Sequence, residues 1–419
     1  MVNTAGPKLR NAGSHLRNLM DTRRLAVFLA GAAAFATLYA PQSLLPVLRP
    51  WLGGNPALAG LVVSAATIGV ALAAPFMGRL SERIGRRRVI VGAAFASCIP
   101  TLGIAAAQNA VQMIAARFAE GLLLPGIFAV TVAYTADAWP AREARSVTAL
   151  YIAGTIFGGF GGRFTAGLVT EFAGWRLAFV TLTLMQLIYA LIIFTWLPPE
   201  PARAGGVSPH VSMRELLAFA PLRGACIAGF MILFSLIAGF TYVSLTLAQP
   251  PFNLGPGALS GIFIVYVVSG LITPIAGRLL NALGHRRVLT LAWALAICGL
   301  LLTLPPSLPM VIAGLCLFSI GLFFAQITAT TFVSEATPTA RGPAVGLYVT
   351  CYYIGGSIGG VLPAPVWSHA GWPGVIALIT LAGVISVTAA WRSFNIRLTP
   401  RLVPADNAGA SIVSRPASK

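Results

Sequence analysis

The chain has 419 residues, of which 57% are hydrophobic and only 9% charged, and its formal net charge is +18. Such a composition, with 44 glycines and 29 prolines running through the apolar stretches, excludes a soluble globular domain and describes a polytopic membrane protein, because bilayer helices tolerate Gly and Pro where soluble helices avoid them. The basic residues sit in short clusters at the ends of apolar segments and not on one soluble domain, which argues against a nucleic-acid partner.

At about 20 residues per crossing, apolar stretches predict spans at 25–46, 57–77, 89–108, 111–136, 146–168 and 177–197, then at 222–247, 257–277, 288–305, 309–333, 343–365 and 374–394. The expected organisation is a basic N-terminal segment 1–24, a six-helix bundle over 25–197, a Pro- and Gly-rich linker 198–221, a second six-helix bundle over 222–394 and a tail 395–419. With both termini cytoplasmic, all but four of the 28 Lys and Arg residues fall on the cytoplasmic side, as the positive-inside rule requires. The exceptions are Arg49 and Arg176 in outer loops and Arg117 and Arg163 inside predicted helices. Thr22-Arg23-Arg24, an apolar run and Ala34-Phe35-Ala36 resemble a twin-arginine export signal. Cleavage there would leave eleven helices, so symmetry argues for a retained first span.

The chain is internally duplicated. Gly78-Arg-Leu-Ser-Glu-Arg-Ile-Gly-Arg-Arg-Arg-Val-Ile90 recurs as Gly277-Arg-Leu-Leu-Asn-Ala-Leu-Gly-His-Arg-Arg-Val-Leu289, between the second and third spans of each half. Leu150-Tyr151, Gly158-Gly159, Gly162 and Gly174-Trp175 recur at a constant shift as Leu347-Tyr348, Gly355-Gly356, Gly359 and Gly371-Trp372. Apolar repeats of this kind are the signature of a secondary transporter.

In the basic turns, Gly78, Glu82, Arg83, Gly85, Arg86 and Arg87, with Gly277, Gly284 and Arg286 in the second copy, can act as a conformational latch. Arg86, Arg87 and Arg88 can bond the last carbonyls of a neighbouring helix or anionic lipid, and Glu82 can sit at a helix N-terminus. The plainer reading makes these arginines orientation signals only. In the fourth span, Glu120 lies about 15 Å deep, with Arg117 one turn away on the same side. An acid at that depth either exchanges a proton during a transport cycle or forms a static ion pair. The equivalent stretch of the tenth span, Leu315 to Ile320, carries no charge.

Arg163 is expected near the outer leaflet, where it either snorkels to water or lines an outer mouth that draws anionic substrate. Gly154, Gly158 and Gly162, and Gly355 and Gly359 in the other half, share a helix face and permit close packing, with a moving interface as the expected place. Tyr39, Gln42, Tyr134, Gln326 and Tyr352 are candidate cavity groups, along with Tyr242 and Tyr266. The five cysteines read as small core residues, and His15, His210, His285 and His369 lie in loops or near membrane surfaces. No metal cluster, cofactor or catalytic constellation is expected from these positions.

At this point the sequence resembles the major facilitator superfamily. Gly78 to Arg88 is similar to that family's signature between helices 2 and 3, Arg117-Phe-Ala-Glu-Gly121 to its helix 4 signature, and Gly154-x-x-x-Gly158-x-x-x-Gly162-Arg-Phe-Thr-Ala-Gly167 to its helix 5 antiporter signature. With Tyr39-Ala-Pro-Gln-Ser-Leu-Leu-Pro46 and Tyr352-Tyr353, the chain resembles the sugar-efflux and drug-efflux branch of proton antiporters. Departures are Glu82 where Asp is usual, Asn281 in the second copy, Arg163 where Pro is usual and Ala166 where Gly is usual.

The resemblance implies an all-α fold of 12 transmembrane helices in two bundles that rock about a central site, with the basic turns latching the outward-facing state. It implies proton-linked export of a small organic compound across a bacterial inner membrane, with lipid, a small-molecule substrate and protons as partners. Proton symport into the cell and facilitated diffusion are the alternatives within transport. A membrane enzyme or sensor that kept the fold is the rival of another class.

Overall fold

The computed structural model describes residues 7–199, 212–338 and 340–394. The tail 395–419 and most of the linker, with His210, lie outside the described residues. Every regular element among the described residues is helical.

Helix α1 (Pro7–Leu38) is followed by a 3-10 turn, Ala40–Ser43, and a short helix, Leu45–Trp51. Then come α2 (Pro56–Ile84), α3 (Arg86–Ala96 and Cys98–Ala106) and α4 (Ala110–Ala138). The stretch Ala141–Trp196 breaks at Gly174 into α5 (141–173) and α6 (175–196). After a linker helix, Met213–Ala218, held by a Ser212/Glu215 capping box, α7 is Ala220–Leu247. The α8 helix runs through Pro256–Ile262 and Ile264–Ile272 to residue 283, and α9 is 285–302. They are followed by α10 (Leu308–Ala336), α11 (Arg341–Val361, continuing over 363–370) and α12 (372–393).

Twelve helical segments follow the order of the expected spans, with shorter connections than polarity suggested. Gly174, Gly284 and Gly371 each turn the chain within what is otherwise one continuous helix. All three have positive φ, as does Gly85 between α2 and α3, a conformation open to glycine and costly for other residues. Gly85 and Gly284 occupy the same place in the two copies of the basic turn, and Gly174 and Gly371 the same place before the two tryptophans. The duplication seen in the sequence is thus repeated in backbone geometry.

The described residues form two compact units. The first contains α1 to α6 together with Leu247–Val267, and the second contains the remainder of α7 to α12. Within the first, α5 lies on α1 through its glycines. A Cβ at Gly154, Gly158 or Gly162 would collide with the backbone of Phe28, Ala32 or Ala36. Within the second, Gly355 and Gly359 of α11 meet the backbone of Phe230 and Phe234 of α7 in the same way. In lipid there is little hydrophobic drive between helices, so close backbone approach through small residues is what holds such pairs. The stripes therefore act inside each unit, whereas the sequence had suggested a moving interface.

Large apolar side chains remain outside both cores, among them Ile99 at 76% exposure and Leu271 at 73%, as a hydrocarbon surround requires. Nine described helices are long and apolar enough to cross a bilayer. Of the cysteines, Cys298 faces outward and is not a core residue, and all five are free thiols.

The glycine contacts predict that Gly158→Val destabilises the protein by about 1–3 kcal/mol or more through overpacking. Gly161→Val, where nothing lies within 4 Å of the added carbon, should change stability by less than about 0.5 kcal/mol. Reversible unfolding in mixed detergent, followed by helical circular dichroism, measures the difference.

Candidate functional site

The break in α1 builds the site. Pro41 has no N–H, so the carbonyl four residues earlier, at Thr37, loses its helical partner. The Gln42 N–H turns to Tyr39 O (3.1 Å) in the 3-10 turn. A break buried in apolar surroundings must find donors for the freed carbonyls.

Arg117 on α4 supplies them. Its Nη1 donates to Thr37 O (3.1 Å), its Nη2 to Leu38 O, and its Nε to Val62 O of α2 (3.0 Å). Nη1 also pairs with the Glu120 carboxylate one turn along, and both side chains are fully buried. Glu120 Oε1 accepts a further bond from Thr101 Oγ1 of α3 (3.3 Å). The ion pair thus ties four helices, α1 and α2 through Arg117 and α3 through Glu120, and each guanidinium nitrogen has an acceptor.

Among the described residues the second unit has no such hub. At the matching positions α10 carries Leu315 and Phe318, and α7 runs without a break from Ala220 to Leu247. No carbonyl is freed there, so no guanidinium is needed. Phe318 stacks on Phe240 at 5.8 Å and lies against Gly239.

A second buried guanidinium lies in the first unit. Arg163 on α5 is only 4% exposed, so it does not snorkel to a polar surface. Its Nε and Nη2 donate to Gln42 Oε1 (3.2 and 2.7 Å), and Nη1 donates to Gly159 O (2.7 Å). The rings of Phe263, Tyr39 and Tyr266 stand 4.7, 5.0 and 5.0 Å from the guanidinium carbon. Each such ring contributes on the order of 0.5–2 kcal/mol, against several kcal/mol to dehydrate the cation. Tyr39, Gln42 and Arg163 are therefore brought together, with Phe263 and Tyr266 as additional walls. Phe263 was not singled out in the sequence; no local pattern marks it.

The basic turns close one end of each unit. Three arginines in the first turn of α3 oppose its own dipole, and two of them reach the carbonyl ends of other helices, where a cation is favoured. Arg86 donates to Ala133 O and pairs with Asp137 (2.8 Å) in the last turn of α4. Arg87 donates to Phe194 O (2.7 Å) and Leu197 O at the end of α6. In the second unit His285 stands 3.6 Å from Glu335 in the last turn of α10, and Arg286 lies over Trp391. Asp137 and Glu335 were missed in the sequence, although each stands one residue before the end of its helix, α4 at Ala138 and α10 at Ala336. Gly78, Glu82, Arg83 and Gly277 are exposed. Glu82 lies in the last turn of α2, not at an N-terminus of its own helix.

The Tyr134 hydroxyl donates to Pro198 O (2.8 Å) beside Trp139. Tyr352 packs between Tyr348 and Tyr353 in the second unit, and Gln326 is half-buried on α10. Tyr242 donates to Gly360 O.

A sequence model described as the Major Facilitator Superfamily matches residues 27–360, with a second match over 263–416. The chain belongs to the major facilitator superfamily. It is similar to the inner membrane transport protein YnfM of Escherichia coli (strain K12), at 32% identity over 372 residues, 88% of this chain and 89% of that one. The uncharacterized MFS-type transporter YybF of Bacillus subtilis (strain 168) is 29% identical over 366 residues, 86% of this chain and 91% of that protein.

In fold, this facilitator is similar to the bacterial homolog of the human lysosomal transporter Spinster, with a TM-score of 0.73 at 14% identity over 92% of this chain and 98% of the other. The human organic anion transporter MFSD10 gives 0.67 at 20% identity, over 88% and 99%. The protein is thus a multi-pass membrane transporter with the two-bundle facilitator fold.

Removing Arg117 orphans both the Glu120 carboxylate and backbone carbonyls, so Arg117→Leu should cost about 3–5 kcal/mol. Glu120→Gln keeps a side chain that can accept from Arg117 but leaves its charge unbalanced, so its cost should reach about 3 kcal/mol and stay below that of Arg117→Leu, which also orphans the carbonyls. Detergent unfolding of the two variants side by side checks the order.

Proposed function

We propose that this facilitator exports a small organic compound in exchange for protons, by alternating access, in a bacterial inner membrane with both termini cytoplasmic. The observation that carries the reading is the fully buried Glu120, paired with Arg117 inside α4. Ionisable groups at that depth are costly and mark ion or proton routes. Protonating Glu120 leaves Arg117 as an uncompensated charge while Arg117 still holds the α1 break and α2. Proton binding is thereby linked to the geometry of the end of α1 and of the 3-10 turn after it, which presents Gln42 to Arg163. In this reading Gln42, Tyr39 and Arg163 face the transported compound, and the basic turns, through Arg86 and Arg87, stabilise one end of the cycle.

A static role for the pair is the second reading. It is favoured by the three bonds that Arg117 sends to backbone carbonyls, which make Glu120 a sufficient counter-ion without any titration. Symport or facilitated diffusion would use the same fold with a different driving force.

Proteoliposomes under an imposed pH gradient separate these readings with a compound panel. Wild type should accumulate a compound against its gradient when protons flow the other way. Glu120→Gln should lose that accumulation and keep counterflow exchange. Gradient-driven transport at the wild-type rate in Glu120→Gln would make the acid structural, and accumulation running with the protons would establish symport.

A further inference from the structure

Three arginines are buried among the described residues: Arg86, Arg117 and Arg163. Two of them face a carboxylate, Arg86 at Asp137 and Arg117 at Glu120. Arg163 differs, because among the described residues its partners are neutral: the Gln42 amide oxygen, the Gly159 carbonyl and three ring faces. Of its five N–H hydrogens, three are used in these bonds, leaving two for another acceptor.

A position kept for packing alone, between glycines and aromatic rings, is better filled by an apolar side chain than by a cation without a counter-ion. The charge therefore implies an anion that is not part of the chain. We infer that Arg163, with Gln42 and the rings of Tyr39, Phe263 and Tyr266, is an anion subsite of the transport pathway, and that the transported compound is a small monoanion with a flat apolar body. This deepens the transporter reading above and rests on it.

A carboxylate matches the planar fork of a guanidinium in a two-point bond. On arrival it takes the place of the Gln42 oxygen, and the Gln42 amide can turn its NH2 toward it. The rings that now cover the guanidinium suit an aromatic or flat apolar group on the same molecule. Arg117, which also acts on Tyr39 of this cluster, is already balanced by Glu120, so the cluster has one positive charge left to balance, and a dianion such as a phosphate monoester would bring an excess charge into a buried site.

The test uses the full-length protein in lipid nanodiscs, with benzoate as probe, benzamide as its neutral counterpart and benzamidine as its cation, each titrated by calorimetry. Wild type should bind benzoate and neither of the others. Arg163→Gln should weaken benzoate by roughly tenfold or more, through loss of the charge-assisted fork. Arg163→Lys, which keeps charge and loses the fork, should fall between them. Phe263→Leu should weaken benzoate without admitting benzamide.

Equal benzoate affinity in wild type and Arg163→Gln overturns the subsite, as does equal affinity of wild type for benzoate and benzamide, or no binding of benzoate by wild type. Should Arg163→Gln fail to fold, wild-type affinity in Arg163→Lys overturns it equally. Counterflow in proteoliposomes separates the two layers of the argument. Flux of neutral compounds with none of benzoate sinks the subsite and leaves the transporter, while Arg163-dependent benzoate binding with no flux of any compound leaves the subsite and sinks the transporter reading.

Discussion

The fold of the first unit depends on one guanidinium. Pro41 interrupts α1 inside the protein, and the interruption is tolerable only because Arg117 donates to the carbonyls it frees. Arg117 in turn is tolerable only because Glu120 balances its charge. This chain of dependencies continues outward. The interrupted segment carries Tyr39 and Gln42, which an uninterrupted helix would place elsewhere, and Gln42 is the hydrogen-bond acceptor for Arg163. A proline, two arginines and one acid thus form a single unit of polar structure in an otherwise apolar bundle.

The second unit shows what the same backbone looks like without that requirement. Where α1 breaks, α7 continues, and where Arg117 and Glu120 stand, Leu315 and Phe318 fill the space. The glycine contacts between α7 and α11 match those between α1 and α5, and the glycine turns before α3 and α9 match as well. At the basic turns the divergence is milder: Arg86 faces Asp137, and His285 faces Glu335. Backbone contacts have survived the duplication, while the charged chemistry has concentrated in the first half.

Much of this was legible in the sequence because it is local or repeated. Spans follow from apolar runs, the Arg117–Glu120 pairing from helical spacing, and the glycine stripes from their four-residue period. A grip of Arg87 on the last carbonyls of a neighbouring helix was one of the readings the sequence left open, beside anionic lipid and a plain orientation signal, and α6 is the helix it reaches. The surroundings of Arg163 were not legible, because Phe263 and Tyr266 lie about a hundred residues further along and nothing local announces the approach. Without those rings, the length of α5 pointed to a side chain reaching toward water. The single-residue turns at Gly174 and Gly371 were also hidden, since polarity marks a loop and one glycine adds none.

The backbone contact between α1 and α5 has a consequence for biogenesis. Ser43, in the turn that follows α1, and Arg163 of α5, whose carbonyl accepts its hydroxyl bond, are 120 positions apart in the chain. At ordinary rates of synthesis, α1 enters the membrane on the order of ten seconds before its partner exists. Throughout that interval its alanine face, Ala32 and Ala36, meets only lipid or the insertion machinery, and the kinked end after Leu38 still lacks the donors of α4. The nascent first half is therefore an assembly intermediate whose earliest helix is completed by its later ones, and quality control of this protein begins with a helix that cannot yet be finished.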